Sequence, residues 1–153
     1  MTEDTCSARS VVHGTDRKMW TLLFVAWLTA LFSTLGALFI GEVLGHTPCQ
    51  LCWYQRIAMF PLALILGIAC LRNDYDVRRY VLPIAVLGFG LALWHNLLYF
   101  GVIPESITPC DRTLSCSGDG MVIFNWAPIP ILSMAAFGLI LALTFLAKPR
   151  NQQ

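Results

Sequence analysis

Four long apolar runs, separated by polar stretches, set the pattern of this 153-residue chain. They lie at Trp20 to Leu44, Trp53 to Leu71, Tyr80 to Phe100 and Ile129 to Ala147. Each is close to the roughly 20 residues that a helix needs to cross hydrocarbon. The pattern predicts an all-α fold, a four-helix transmembrane bundle. Arg17 and Lys18 flank the first run as they would a signal peptide. Its apolar length exceeds the usual run of about 7–15 residues, and no small-x-small cleavage pattern ends it, so it reads as retained.

Composition strengthens this picture. A chain that is 57% hydrophobic and 12% charged, with a mean hydropathy of +0.66, holds more apolar material than a soluble domain of its length could cover. The net charge is only +1, and the basic residues fall in short clusters between apolar runs, which gives nucleic-acid binding no support.

Those basic clusters predict an orientation. Arg9, Arg17 and Lys18 precede the first run, Arg72, Arg78 and Arg79 join the second to the third, and Lys148 and Arg150 follow the fourth. Of the ten basic residues only Arg56 and Arg112 fall elsewhere. The positive-inside bias therefore puts both termini in the cytoplasm. The expected organisation is a tail over 1–18, a membrane domain over 19–147 with an outer loop over 101–127, and a second tail over 148–153.

Orientation sorts the six cysteines. Cys49, Cys52, Cys110 and Cys116 emerge on the outer, oxidising side, whereas Cys6 and Cys70 stay at the cytoplasmic side as incidental small side chains. Cys49 and Cys52 form a C-x-x-C pair within Thr47-Pro-Cys-Gln-Leu-Cys-Trp-Tyr-Gln-Arg56. Thr47 is expected to cap a helix beginning at Pro48, with Gln50 completing a capping box. Cys49 then lies in the first turn, where free N–H groups and the helix dipole favour the thiolate that attacks a disulfide. Cys52 and Arg56 follow at three and seven residues, along the same helix face. Two inert disulfides are the plainer alternative, and Arg56 could merely snorkel to the interface.

Glu42 near the outer end of the first run, Arg56 in the second and His95 with Asn96 in the third place polar groups at similar depth. A cluster of Glu42, Arg56 and His95 would balance charge and leave donors for a polar head group between the helices. An interfacial His95 satisfied by Asn96 or by backbone is the competing reading. Electrons leaving a dithiol need an acceptor, yet the chain has no nucleotide-binding glycine pattern and no C-x-x-C-H haem signature. A lipid-soluble quinone fits better, with no soluble cofactor and no metal required.

Between the third and fourth runs, Cys110 and Cys116 stand in a polar, glycine-containing stretch that reads as a redox-active arm able to reach both an outside partner and the membrane-proximal pair. Phe124 and Trp126 could anchor it at the head groups or simply belong to an aromatic belt.

From residue 18 to 147, and most strongly at Cys49-Gln-Leu-Cys-Trp-Tyr-Gln-Arg56, the chain resembles the DsbB family of membrane thiol oxidases, in particular its short, BdbC-like members. The resemblance implies a bacterial plasma-membrane protein, its active cysteines extracytoplasmic, that supports protein folding through disulfide formation. It implies that Cys110 receives the attack of a thioredoxin-like, DsbA- or BdbD-like thiol oxidase and that Cys116 exchanges with Cys49. Cys52 would meet a quinone, menaquinone or ubiquinone, with Arg56 assisting and His95 a less secure match. Close Cys110–Cys116 spacing departs from the longer members and bears on partner choice.

Two other readings remain open at this stage. A vitamin K epoxide reductase-like quinone reductase also joins four membrane helices to C-x-x-C chemistry, although the order of cysteines here favours the DsbB-like reading. A non-enzymatic scaffold whose outer cysteines are structural or bind a soft metal would leave the alignment of Arg56 unexplained.

Overall fold

The computed structural model describes residues 3–45, 48–103, 122–123 and 127–147, with side chains of the first helix from Arg17 onward. Among these residues the chain forms four helices, α1 (Glu3–Leu38), α2 (Gln50–Arg72), α3 (Arg78–Tyr99) and α4 (Ile129–Leu146). A π-helical turn, Phe39–Val43, continues α1. Just before α4, β1 (Val122–Ile123) pairs antiparallel with β2 (Ala127–Pro128), a two-residue ladder that leaves the all-α class intact. All four helices are long and apolar enough to cross a membrane. The first starts well before the apolar run at Trp20, because hydropathy marks only the stretch suited to hydrocarbon and the backbone stays helical through the polar residues ahead of it.

The start of α2 corrects the expected cap. The helix begins at Gln50, and Cys49 is its N-cap, with φ −64° and ψ 164°. In that extended conformation the cysteine's own sulfur reaches the N–H three residues ahead, the position a serine or aspartate oxygen would take. Cys52 N–H donates to Cys49 Sγ at 3.3 Å. Thr47 lies outside the described residues. At its other end α2 stops at Asn73, which takes the left-handed conformation (φ 53°) common after a helix C-terminus. There Asp76 N–H donates to Asp74 Oδ1 at 2.9 Å and turns the chain into α3.

Each helix packs on its neighbours in sequence, and α1 also packs on α4, which closes a four-membered ring. Small side chains permit the close approach. Ala26 and Ala30 of α1 and Ala85 and Ala92 of α3 are fully buried. Phe137 of α4 lies against Gly88 of α3, where a Cβ would collide with the ring. Leu62 and Leu66 bring α2 into the same core. Phe32, Leu64, Leu87 and Phe145 face outward instead, giving the bundle an apolar exterior that suits lipid.

Candidate redox site

The site is built where the N-terminus of α2 meets α3. Cys49 Sγ and Cys52 Sγ stand 2.9 Å apart, sharing a hydrogen bond as a dithiol. His95 of α3 brings Nε2 to 3.9 Å from Cys49 Sγ. On the far side of that ring, Gln55 Nε2 lies 3.1 Å from His95 Nδ1. Cys49, Gln55 and His95 are all buried, His95 completely. Leu51 and Leu98 form a small apolar cluster around Cys49, with Cys52, Tyr99 and Ile103 packed against it.

Both cysteines, with Gln55, also border a cavity of about 410 Å³ between α1, α2 and α4, lined further by Arg56 and Ile40 and by Leu132 and Phe137 on the α4 side. A volume of this size with a few polar groups in an apolar wall falls in the range of about 300–1,000 Å³ typical of small-molecule sites.

Arg56 is held by α1. Its Nη2 donates to the carbonyl of Ala37 at 2.7 Å. Ala37 lies two residues before the π turn, near the end of α1. Gly41, within that turn, leaves room for the guanidinium, since a Cβ there would sit 3.0 Å from Nη1 and 3.2 Å from Nη2. The cation also stacks at 5.8 Å from the Trp53 ring centroid.

Residues 16–147 match the family model described as disulfide bond formation protein DsbB. The chain belongs to the DsbB family. A probable disulfide formation protein of Metapseudomonas resinovorans is 54% identical over 133 residues, covering 86% of this chain and 92% of that one. One of Deinococcus radiodurans is 48% identical (86% and 90% covered), and disulfide bond formation protein C of Bacillus subtilis is 41% identical (86% and 95% covered). No solved structure gives a significant match. This DsbB-family chain is therefore a multi-pass membrane thiol oxidoreductase of disulfide bond formation.

Its expected site residues do not all converge. Cys49, Cys52 and His95 lie together, and Cys52 and Arg56 share the cavity wall. Glu42 is exposed on the π turn and outside that wall, and among the described residues it forms no ion pair with Arg56. The charge-balanced cluster of Glu42, Arg56 and His95 is thus replaced by a backbone carbonyl on the arginine and an amide on the histidine. His95 faces Cys49 and does not line the cavity. Asn96 is not its partner either, because Asn96 Nδ2 donates to the carbonyls of Ala92 and Pro130 at 2.8 and 2.7 Å. Cys110, Cys116, Phe124 and Trp126 lie outside the described residues.

Gln55 is the residue the sequence reading passed over. An amide three residues beyond Cys52 in an otherwise apolar helix has to find a buried partner, and that requirement was its signal. Its consequence reaches the sulfur. With the amide nitrogen facing the ring, Nδ1 accepts, so the ring proton sits on Nε2, toward Cys49. The Cys49 thiol is held below its ordinary value chiefly by the hydrogen bond with Cys52; burial opposes this, and His95 and the Cys52 N–H add to it.

Proposed function

We propose that this DsbB-family protein reoxidises a thioredoxin-like extracytoplasmic thiol oxidase and delivers the electrons to a membrane quinone. The observation that carries the reading is the setting of the C-x-x-C pair: Cys49 Sγ lies 3.9 Å from His95 Nε2, and Cys49 and Cys52 both line a largely apolar cavity that Arg56 shares. The cavity's size and wall fit a quinone head group, with Arg56 available to a ring oxygen and Cys52 to the ring. Bound there, a quinone supplies a two-electron, two-proton acceptor, menaquinone or ubiquinone alike.

The protein's own residues would do the rest. The partner's thiolate attacks Cys110 of the Cys110–Cys116 disulfide, and its second thiol resolves the mixed disulfide, leaving the partner oxidised and the arm reduced. Cys116 thiolate then attacks Cys49 of the Cys49–Cys52 disulfide, and Cys110 displaces Cys49, so two electrons come to rest on the α2 pair. His95, its ring turned by Gln55, stabilises the Cys49 thiolate as it leaves. Arg56 holds positive charge where the acceptor gains negative charge. The net reaction is partner dithiol plus quinone giving partner disulfide plus quinol. Orientation with both termini cytoplasmic, in a bacterial plasma membrane, and the division into tails 1–18 and 148–153 around the domain 19–147 follow from the distribution of basic residues.

Anaerobic mixing of the fully reduced protein in detergent with a quinone, followed by quinone absorbance, tests the route. Quinone is consumed one per reduced pair by the parent, and Cys49→Ser and Cys52→Ser abolish that consumption. Reduction at the parental rate without either thiol would refute the proposal.

A further inference from the structure

The same corner carries a second chemistry, independent of any quinone. Cys49 Sγ, Cys52 Sγ and the nearest ring nitrogen of His95 all fall within 4.8 Å of one another. A tetrahedral zinc with Zn–S near about 2.3 Å and Zn–N near about 2.0–2.1 Å needs ligand atoms at separations of this order. The sulfurs, now 2.9 Å apart, must spread to about 3.8 Å, which a rotation of the Cys52 side chain allows.

We propose that the reduced pair and His95 form a binding site for one thiophilic divalent cation, zinc or cadmium, which holds the protein in its dithiol state. Binding converts two thiols to two metal–thiolate bonds, releases two protons and changes no oxidation state. The disulfide form has no thiolate to offer, so the site exists only in the reduced protein.

Three features favour it. Two thiolates and a neutral imidazole balance a divalent charge, which matters where Cys49 is 3% and His95 0% exposed. Two sulfurs and one imidazole nitrogen select soft and borderline ions over magnesium or calcium. A histidine that binds metal through Nε2 presents Nδ1–H to an outer acceptor, and Gln55 stands at 3.1 Å from that nitrogen, able to offer its carbonyl oxygen once the amide turns over. A fourth position can open toward the cavity that both cysteines line.

The test uses the full chain carrying Cys110→Ser and Cys116→Ser, reduced anaerobically in detergent and titrated with cadmium chloride while the thiolate-to-cadmium absorbance is followed. One ion per chain is expected in the reduced protein and none after the pair is oxidised. Gln55→Leu should weaken binding by about 10-fold, the size of an outer-partner effect, and His95→Phe by more. Zinc-loaded protein should give an X-ray absorption spectrum of two sulfurs and one imidazole, a readout that needs no further variant. Equal binding by reduced and oxidised protein, or a first shell without imidazole, would overturn the proposal. Neither quinone nor partner enters, so a negative result leaves the electron-acceptor reading to its own assay.

Discussion

Replacing Gln55 with leucine is the most informative single change, because it removes the amide's contact with His95 and leaves both sulfurs and the ring in place. Leucine is of similar size, branched where the amide is extended, and cannot hydrogen-bond, so the 3.1 Å contact with Nδ1 is lost and the ring nitrogen is stranded in a fully buried position. A neutral hydrogen bond is worth about 0.5–1.5 kcal/mol net, and one pKa unit corresponds to about 1.36 kcal/mol, so the loss can move the Cys49 titration by roughly 0.3–1 pH unit. The 3.9 Å separation of Nε2 from the sulfur argues for the lower half of that range. The sign follows from what is removed. Cys49 is held below its ordinary value partly by His95, so freeing the ring raises the midpoint and less thiolate is present at a given pH.

The assay is the pH dependence of alkylation of reduced protein, resolved to Cys49 by tandem mass spectrometry in the Cys110→Ser, Cys116→Ser background. His95→Phe sets the upper bound by removing the ring altogether. A Gln55→Leu midpoint equal to the parent's, or below it, would show that the amide does not act on the sulfur through the ring. Global stability supplies a second check, since a stranded buried nitrogen costs about 1–3 kcal/mol.

Arg56→Lys should slow quinone reduction by roughly tenfold, the equivalent of one charge-assisted hydrogen bond of about 1.5 kcal/mol, while leaving exchange between the arm and the α2 pair at the parental rate; an unchanged reduction rate removes the proposed role. Gly41→Ala puts a methyl 3.0 Å from Nη1 and should produce a smaller slowing in the same stopped-flow assay, with equal rates counting against the clamp. Gly88→Ala drives a methyl into the Phe137 ring and should cost about 1–3 kcal/mol in a detergent unfolding titration, with activity retained in the fraction that stays folded; an unaltered transition would contradict that close approach.

The four spans were legible because crossing hydrocarbon imposes a length and a composition that no other requirement mimics, and their bounds are met within a few residues apart from the polar lead into α1. Juxtapositions between helices were harder. Glu42 and Arg56 look like partners in a string of residues, but Glu42 is exposed on the π turn and the arginine donates to the Ala37 carbonyl instead. Nothing in Phe-Ile-Gly-Glu-Val announces a shift from α to π register. Gln55 was readable in principle through the cost of burying an amide, although its pairing with His95, 40 residues away, required the packing of α2 on α3.

Capping by Cys49 gives the pair its asymmetry. A residue at the N-cap folds its side chain back over the helix end, and Cys49 Sγ accordingly takes the Cys52 N–H and turns toward α3. Three residues later the side chain is nearly a full turn round, close enough to keep the sulfurs in contact yet aimed into the space between α1, α2 and α4. Had the helix begun at Pro48, as a Thr47 cap would require, both cysteines would project from regular turns and Cys49 would lose its hold on the Cys52 N–H. Both residues line the cavity, and the N-cap sulfur also lies 3.9 Å from the histidine, an arrangement set by a helix that starts at Gln50 and no earlier. On the proposed route, electrons therefore enter through Cys49 beside the histidine and leave through Cys52 into the cavity that both cysteines line.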